Sequence, residues 1–178
     1  VQGGDLNVSG PISVVATGAD LDAFASLRAK AVNVTGNITV SVGAGGDSAA
    51  LFVDAVNAIN VNGNVTVNGG SFGSMSFETD TGNIDVSGNV SAAGDSAWIG
   101  LFADSGRIDL AGGARATAQA SDGSAVIMLE AGRGILVSGA MEAQAGGSAG
   151  IGVFNSGGSG DIVLRQAVAA ASKFEAAQ

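Results

Sequence analysis

Along most of this chain apolar and polar residues alternate one for one, in short bursts that recur. One burst, with apolar residues two apart and usually closing on Gly, begins at Leu6 (LNVSG), Val32 (VNVTG), Ile59 (INVNG), Ile84 (IDVSG), Ile108 (IDLAG), Ile135 (ILVSG) and, degraded, Ile162 (IVLRQ). The steps between these starts are 26, 27, 25, 24, 27 and 27 residues. Alternation of period two marks a strand with one buried face, because successive side chains of a strand point to opposite sides. A second alternating run follows each Gly: Ile12-Ser13-Val14, Ile38-Thr39-Val40, Val65-Thr66-Val67, Val90-Ser91-Ala92, Ala114-Arg115-Ala116 and Met141-Glu142-Ala143. A third run, after a stretch rich in Gly, Ser and Asp, covers 49–54, 97–104, 125–130 and 149–155.

Self-similarity at such a period predicts a solenoid, in which each unit buries its apolar face only by stacking on its neighbours. With one repeat per turn, residues of equal phase sit about 4.8 Å apart and pair as parallel strands. The predicted fold is all-β: a single-stranded parallel β-helix with about 26 residues and three short strands per turn. Its hand is expected to be right, as for nearly all parallel crossovers. Six to seven turns make a rod about 30 Å long, and the whole chain, 1–178, reads as one domain. Leu6, Val32, Ile59, Ile84, Ile108, Ile135 and Ile162 are expected to form one inward stack, and Val8, Val34, Val61, Val86, Leu110, Val137 and Leu164 another. Glycine at the fifth place (Gly10, Gly36, Gly63, Gly88, Gly112, Gly139) suits a corner that needs a positive φ or a tight bend.

Composition narrows the function. There is no Cys, no His and no Tyr, and the formal charge is -9. The commonest general base, nucleophile and soft metal ligand are therefore missing, and so much negative charge disfavours nucleic acid. No run approaches the roughly 20 apolar residues of a membrane helix. Carboxylates remain: Asp54, Asp104 and Glu130 fall at similar phase after the third run. The seven Lys and Arg are scattered, unlike the cluster that an anionic-sugar groove would want. No cofactor is indicated. Gly45-Gly46-Asp47, Gly94-Asp95 and Asp122-Gly123 come nearest to a calcium repeat, without its nine-residue period, leaving loosely held calcium near Asp47 and Asp95 as the weaker reading beside plain turn chemistry.

Two outward patterns stand apart. If Ala49, Leu51, Val53 and their counterparts face inward, then Phe52, Trp98, Phe102, Val126, Met128 and Phe154 face outward. They are expected to stack into one apolar stripe, a lateral interface for a second copy, a partner or a neighbouring part of a longer chain. Asn-x-Ser/Thr triplets at Asn7, Asn33, Asn37, Asn64 and Asn89 are either acceptors for N-linked sugar or by-products of the alternation. At the ends, unpaired edges would recruit further chains head to tail unless capped. The tail 167–178 (AVAAASKFEAAQ) reads as a short capping helix or an incomplete rung.

Runs such as GNITVSVGAGGDSAALFVDA and GNIDVSGNVSAAGDSAWIGLFADSGRIDLAGGA resemble the passenger repeats of filamentous-haemagglutinin-like exoproteins, adhesins of two-partner secretion systems. The resemblance lies in repeat style over essentially the whole chain and in no site motif. The family's N-terminal Asn-Pro secretion motifs have no counterpart, since the single Pro follows Gly10. The sequence thus reads as a piece of a shaft or a smaller relative. The resemblance implies an extracellular or bacterial cell-surface protein, with itself, the rest of a parent chain or a host or matrix ligand as partner. The expected function is structural and non-enzymatic, an adhesin shaft or self-assembling fibre. The alternative is a carbohydrate-active β-helix, lyase or hydrolase.

Overall fold

The computed structural model describes residues 3–172, which form eighteen strands and no helix. They wind into a β-solenoid of about six turns with roughly 26 residues per turn. Every strand pairing is parallel and joins one coil to the next. Three faces result. The first carries Leu6–Ser9, Ile84–Val86, Arg107–Leu110, Gly134–Val137 and Ile162–Leu164. The second carries Ile12–Ala16, Ile38–Val42, Val65–Asn68, Val90–Gly94, Ala114–Ala118, Met141–Ala145 and Val168–Ser172, and forms a seven-stranded sheet of its own. The third carries Phe72–Thr79, Ser96–Ala103, Ser124–Ala131 and Ser148–Asn155.

Two early coils depart from three short strands per turn. Ala23–Thr35 and Ser48–Asn62 run unbroken from the third face into the first, so that these two faces share one eleven-stranded sheet. Later coils break at this corner on Gly82 and Gly106, where a Cβ would lie only 1.0 and 1.7 Å from a carbonyl oxygen of the coil before. The early coils have Lys30 and Val56-Asn57 there, and they absorb the turn by a register shift between Ala29 and Ala31.

The core is aliphatic apart from Phe77 and the thioethers of Met75 and Met141. On the first face the register runs Leu6, Val32, Ile59, Ile84, Ile108, Ile135, Ile162, one residue per coil, and a second column runs Val8, Val34, Val61, Val86, Leu110, Val137, Leu164. The interior members of both columns are buried, Leu6 and Val8 on the first coil are half-buried, and Ile162 and Leu164 on the last are exposed. Like therefore stacks on like, which lets side chains of one shape fill the core at native density.

The corner glycines serve a purpose other than a positive φ. Of the six, Gly10 and Gly36 have a positive φ, at 159° and 137°, and Gly63, Gly88, Gly112 and Gly139 do not; a Cβ on Gly10 would meet nothing, whereas Gly36 and the other four press on the coil before. What they share is a stack of backbones: a Cβ on Gly112 would lie 2.4 Å from the Gly88 oxygen, and one on Gly88 would lie 2.5 Å from that of Gly63. Beside this column the Oδ1 atoms of Asn37, Asn64 and Asn89 accept the backbone N–H of Asn64, Asn89 and Gly113 at 2.9, 2.8 and 3.0 Å. Each asparagine thus satisfies a donor of the following coil that a corner would otherwise leave unpaired. In the tail, where 167–178 read as a capping helix or an incomplete rung, Val168–Ser172 is a strand paired with Met141–Ala145, so this part is a rung and not a helix; residues 173–178 lie outside the described residues.

Two predictions follow from these corners. Gly112→Ala should cost about 1–3 kcal/mol through overpacking, whereas Gly150→Ala, whose Cβ meets nothing within 4 Å, should be close to neutral; urea unfolding midpoints compare them. Asn89→Ala should cost about 1–3 kcal/mol by stranding the Gly113 N–H, and hydrogen exchange at that amide should accelerate.

Candidate functional site

The solenoid's chemistry lies on its outer surface, and each face presents a different set of columns. On the second face, Thr66 and Ser91 adjoin at 3.4 Å between hydroxyls, and Arg115 Nε meets Glu142 at 3.4 Å on the following coil. This surface is solvated and small-residued.

The first face carries an asparagine ladder. Asn33 Nδ2 donates to Asn7 Oδ1 at 2.9 Å, and Asn60 Nδ2 donates to Asn33 Oδ1 at 2.7 Å. The next two coils place Asp85 and Asp109 in the same column, where like charges meet. Arg107 offsets the repulsion, 3.8 Å from Asp85 and 3.2 Å from Asp109. Burial nevertheless raises the Asp85 pKa above its ordinary value, Arg107 lowering it in part and Asp109 adding to the rise. Of the asparagines in Asn-x-Ser/Thr triplets, Asn7 and Asn33 sit in this ladder, and Asn37, Asn64 and Asn89 line the Gly corner.

The third face is where the aromatic residues are. Among the described residues the aromatic side chains are Phe24, Phe52, Phe72, Phe77, Trp98, Phe102 and Phe154, and only Phe77 is in the core. The other six stand on the outward phase of third-face strands; Phe24, Phe52, Phe72 and Phe154 are 59, 41, 41 and 51% exposed. Phe24 and Phe72 lie in runs that escape sequence reading. Phe24 sits in an alternating AFASL stretch close to Asp-rich turns, and around Phe72 the residues Gly73, Ser74 and Ser76 blur the alternation.

The expected single stripe is not how these residues are arranged. The register sets three outward columns: Trp98 is paired with Val126, Phe52 shares a column with Ser76, Gly100, Met128 and Gly152, and Phe102 lies in the column of Asp54, Glu78, Glu130 and Phe154. The offset arises because the third run does not keep the first run's steps. Rings meet by leaning across columns instead. Phe24 and Phe52 come to 5.6 Å between centroids. Trp98 and Phe102, four residues apart on one strand, bend over Gly100 until their centroids are 6.2 Å apart and their planes 26° from parallel. A Cβ on Gly100 would lie 2.2 Å from the Trp98 ring and 2.6 Å from that of Phe102, so glycine is what lets the plate form. Phe154 covers Gly152 in the same manner.

The acids divide similarly. Asp54 and Glu130 share the Phe102 column, whereas Asp104 lies two residues beyond it. Asp54 is bound by Arg28 Nε at 2.8 Å, and Ser76 Oγ donates to Glu78 Oε1 at 2.9 Å. Asp47 and Asp95 do not meet: the coil carrying Ser71 runs between them, the Ser71 N–H donating to the Asp47 carbonyl oxygen on one side and the Ser71 carbonyl oxygen accepting the Ser96 N–H on the other. Among the described residues no three acidic side chains converge on one point.

Compared with known protein families, curated proteins and solved structures, the chain matches none.

The Asp85 environment predicts a pH dependence. Because its folded pKa is raised above the ordinary 3.8, its contribution is most favourable at acid pH and declines as pH rises through the raised value. Asp85→Asn should remove that loss and lengthen the asparagine ladder. We expect a small stabilisation at neutral pH, reduced by solvent screening at this partly exposed site, that shrinks towards zero below the normal aspartate range, as read from melts at the two pH values.

Proposed function

We propose that this chain is a structural, non-enzymatic part of an extracellular β-solenoid exoprotein, an adhesin shaft or surface fibre of the filamentous-haemagglutinin-like kind. It works by presenting its outer surface to another molecule, be that a second copy, the rest of a longer chain or a surface ligand. One observation carries the reading: six of the seven described aromatic side chains leave an aliphatic core for one outer face. Burying large aromatic rings is a major source of core and interface energy. Placing them outside forgoes that gain within the fold and offers it to a contact. The even length of the coils agrees, since among the described residues no corner carries an insertion that would wall a deep cleft.

A second reading, polysaccharide cleavage, is favoured by a single feature. Asp54 and Glu78 occupy the same column on adjacent coils, beside Phe24 and Phe52. Neighbouring rungs lie about 4.8 Å apart, near the carboxylate separation of about 5 Å in retaining glycosidases. Arg28 holds Asp54, however, and the column stands on an open strand face.

The two readings part on two variants. Trp98→Ser with Phe102→Ser should leave unfolding free energy within about 1 kcal/mol of the parent. The parent should bundle laterally in negative-stain electron microscopy or adsorb to cell or matrix surfaces, and the double variant should do neither. Unchanged association would overturn the contact role of this face. Release of reducing sugar from a polysaccharide panel, lost in Glu78→Gln, would replace the structural reading with the enzymatic one.

A further inference from the structure

The third face is aromatic and also acidic, and the two properties coincide at one place. Phe102 is paired in register with Glu78 on the coil before and with Glu130 on the coil after, so a carboxylate stands on either side of the Trp98–Phe102 plate. Asp104 follows two residues later on the plate's own coil, with Asp80 in the coil before it. Among the described residues none of these four carboxylates is in a salt bridge, and Arg133 at the adjoining corner pairs with none of them. Arg28, three coils before Phe102 on this same face, is matched to Asp54, and on the other faces Arg107 and Arg115 are each matched to an acid on their own or an adjacent coil. Glu78 and Glu130, by contrast, are left without a cation among the described residues, and they flank an aromatic plate.

An aromatic ring attracts a cation over its face through its quadrupole, Trp most strongly, and the attraction strengthens when the cation is also desolvated. Flanking carboxylates add charge-assisted hydrogen bonds for a guanidinium or ammonium. A neutral sugar would use the plate but have no need of unpaired acids on both sides, and a second copy of this acidic chain would bring mostly like charge to the face.

We propose that the third face binds an arginine- or lysine-bearing segment of a partner protein, one cationic side chain lying on the Trp98–Phe102 plate between Glu78 and Glu130. This rests on the contact role proposed above for the face and names its partner's chemistry. Rungs about 4.8 Å apart would let further cations of an extended segment reach Asp80 and Asp104.

Trp98 is the only Trp of the chain, so its fluorescence reports this site alone. A short oligo-arginine peptide titrated onto the purified chain should change that fluorescence saturably, with affinity falling as salt rises. Glu78→Gln with Glu130→Gln should weaken binding by roughly tenfold, and Phe102→Leu by about 3- to 10-fold. Asp5→Asn with Asp20→Asn removes equal charge from a distant exposed part of the first coil and should leave the affinity within about twofold. Equal weakening by both charge pairs would reduce the effect to net charge and overturn the proposal. A response to neutral oligosaccharides, or to protein concentration alone, in place of the peptide would also overturn it while keeping the contact role of the face. No response to any of the three would sink that role as well.

Discussion

Everything in this molecule depends on parallel, in-register pairing between successive coils. Each backbone is hydrogen-bonded to the coil on either side at a spacing of about 4.8 Å, so a residue's nearest neighbours are its counterparts one turn away. Whatever the sequence repeats, the structure stacks. Ile59 on Ile84 on Ile108 makes a core, Asn37 beneath Asn64 beneath Asn89 makes a corner, and Gly63, Gly88 and Gly112 make a seam where backbones touch.

The same rule makes charge costly. A carboxylate that repeats meets a carboxylate, as Asp85 meets Asp109, and like charges directly opposite are destabilising. The chain relieves this in most places by alternating sign along a column, as in Arg28 with Asp54 and Arg115 with Glu142, or by replacing Asp with the neutral, self-complementary Asn. Exposed pairs of this sort add little stability; their effect is to keep the stack from repelling itself. Against that background the Phe102 column stands out beyond its Arg28–Asp54 pair, because Glu78 and Glu130 flank the Phe102 ring and, among the described residues, neither is in a salt bridge.

The aromatic surface depends on small residues as much as on large ones. The Trp98 and Phe102 rings come together because Gly100 offers no side chain beneath them, and Phe154 lies over Gly152 for the same reason. Ser74 and Ser76, outward by phase, are only 6 and 3% exposed; in register they lie beside Trp98 and Phe52. A smooth sheet with notches is what lets large rings lie down on it instead of standing into solvent.

Much of the fold was legible in the chain because inward position follows from period-two alternation, which any single strand reveals. The columns Leu6 to Ile162 and Val8 to Leu164 needed only the spacing of one recurring phrase. The role of the corner glycines was not legible, because a close approach between backbones some 25 residues apart leaves the same Gly in the sequence as a positive φ does. The continuous strands Ala23–Thr35 and Ser48–Asn62 were hidden likewise, since they differ from their neighbours by the lack of a corner glycine. The neighbours of the outward residues were decided only by the tertiary structure. Along the third face the register steps from Ser26 to Phe52, Ser76, Gly100, Met128 and Gly152 are 26, 24, 24, 28 and 24 residues, unlike the steps of the first run. A corner longer by two residues keeps every side chain on its side of the sheet and moves it to another column. Alternation alone therefore determined which residues face outward, and the lengths of the folded corners decided that Phe102 stands between Glu78 and Glu130.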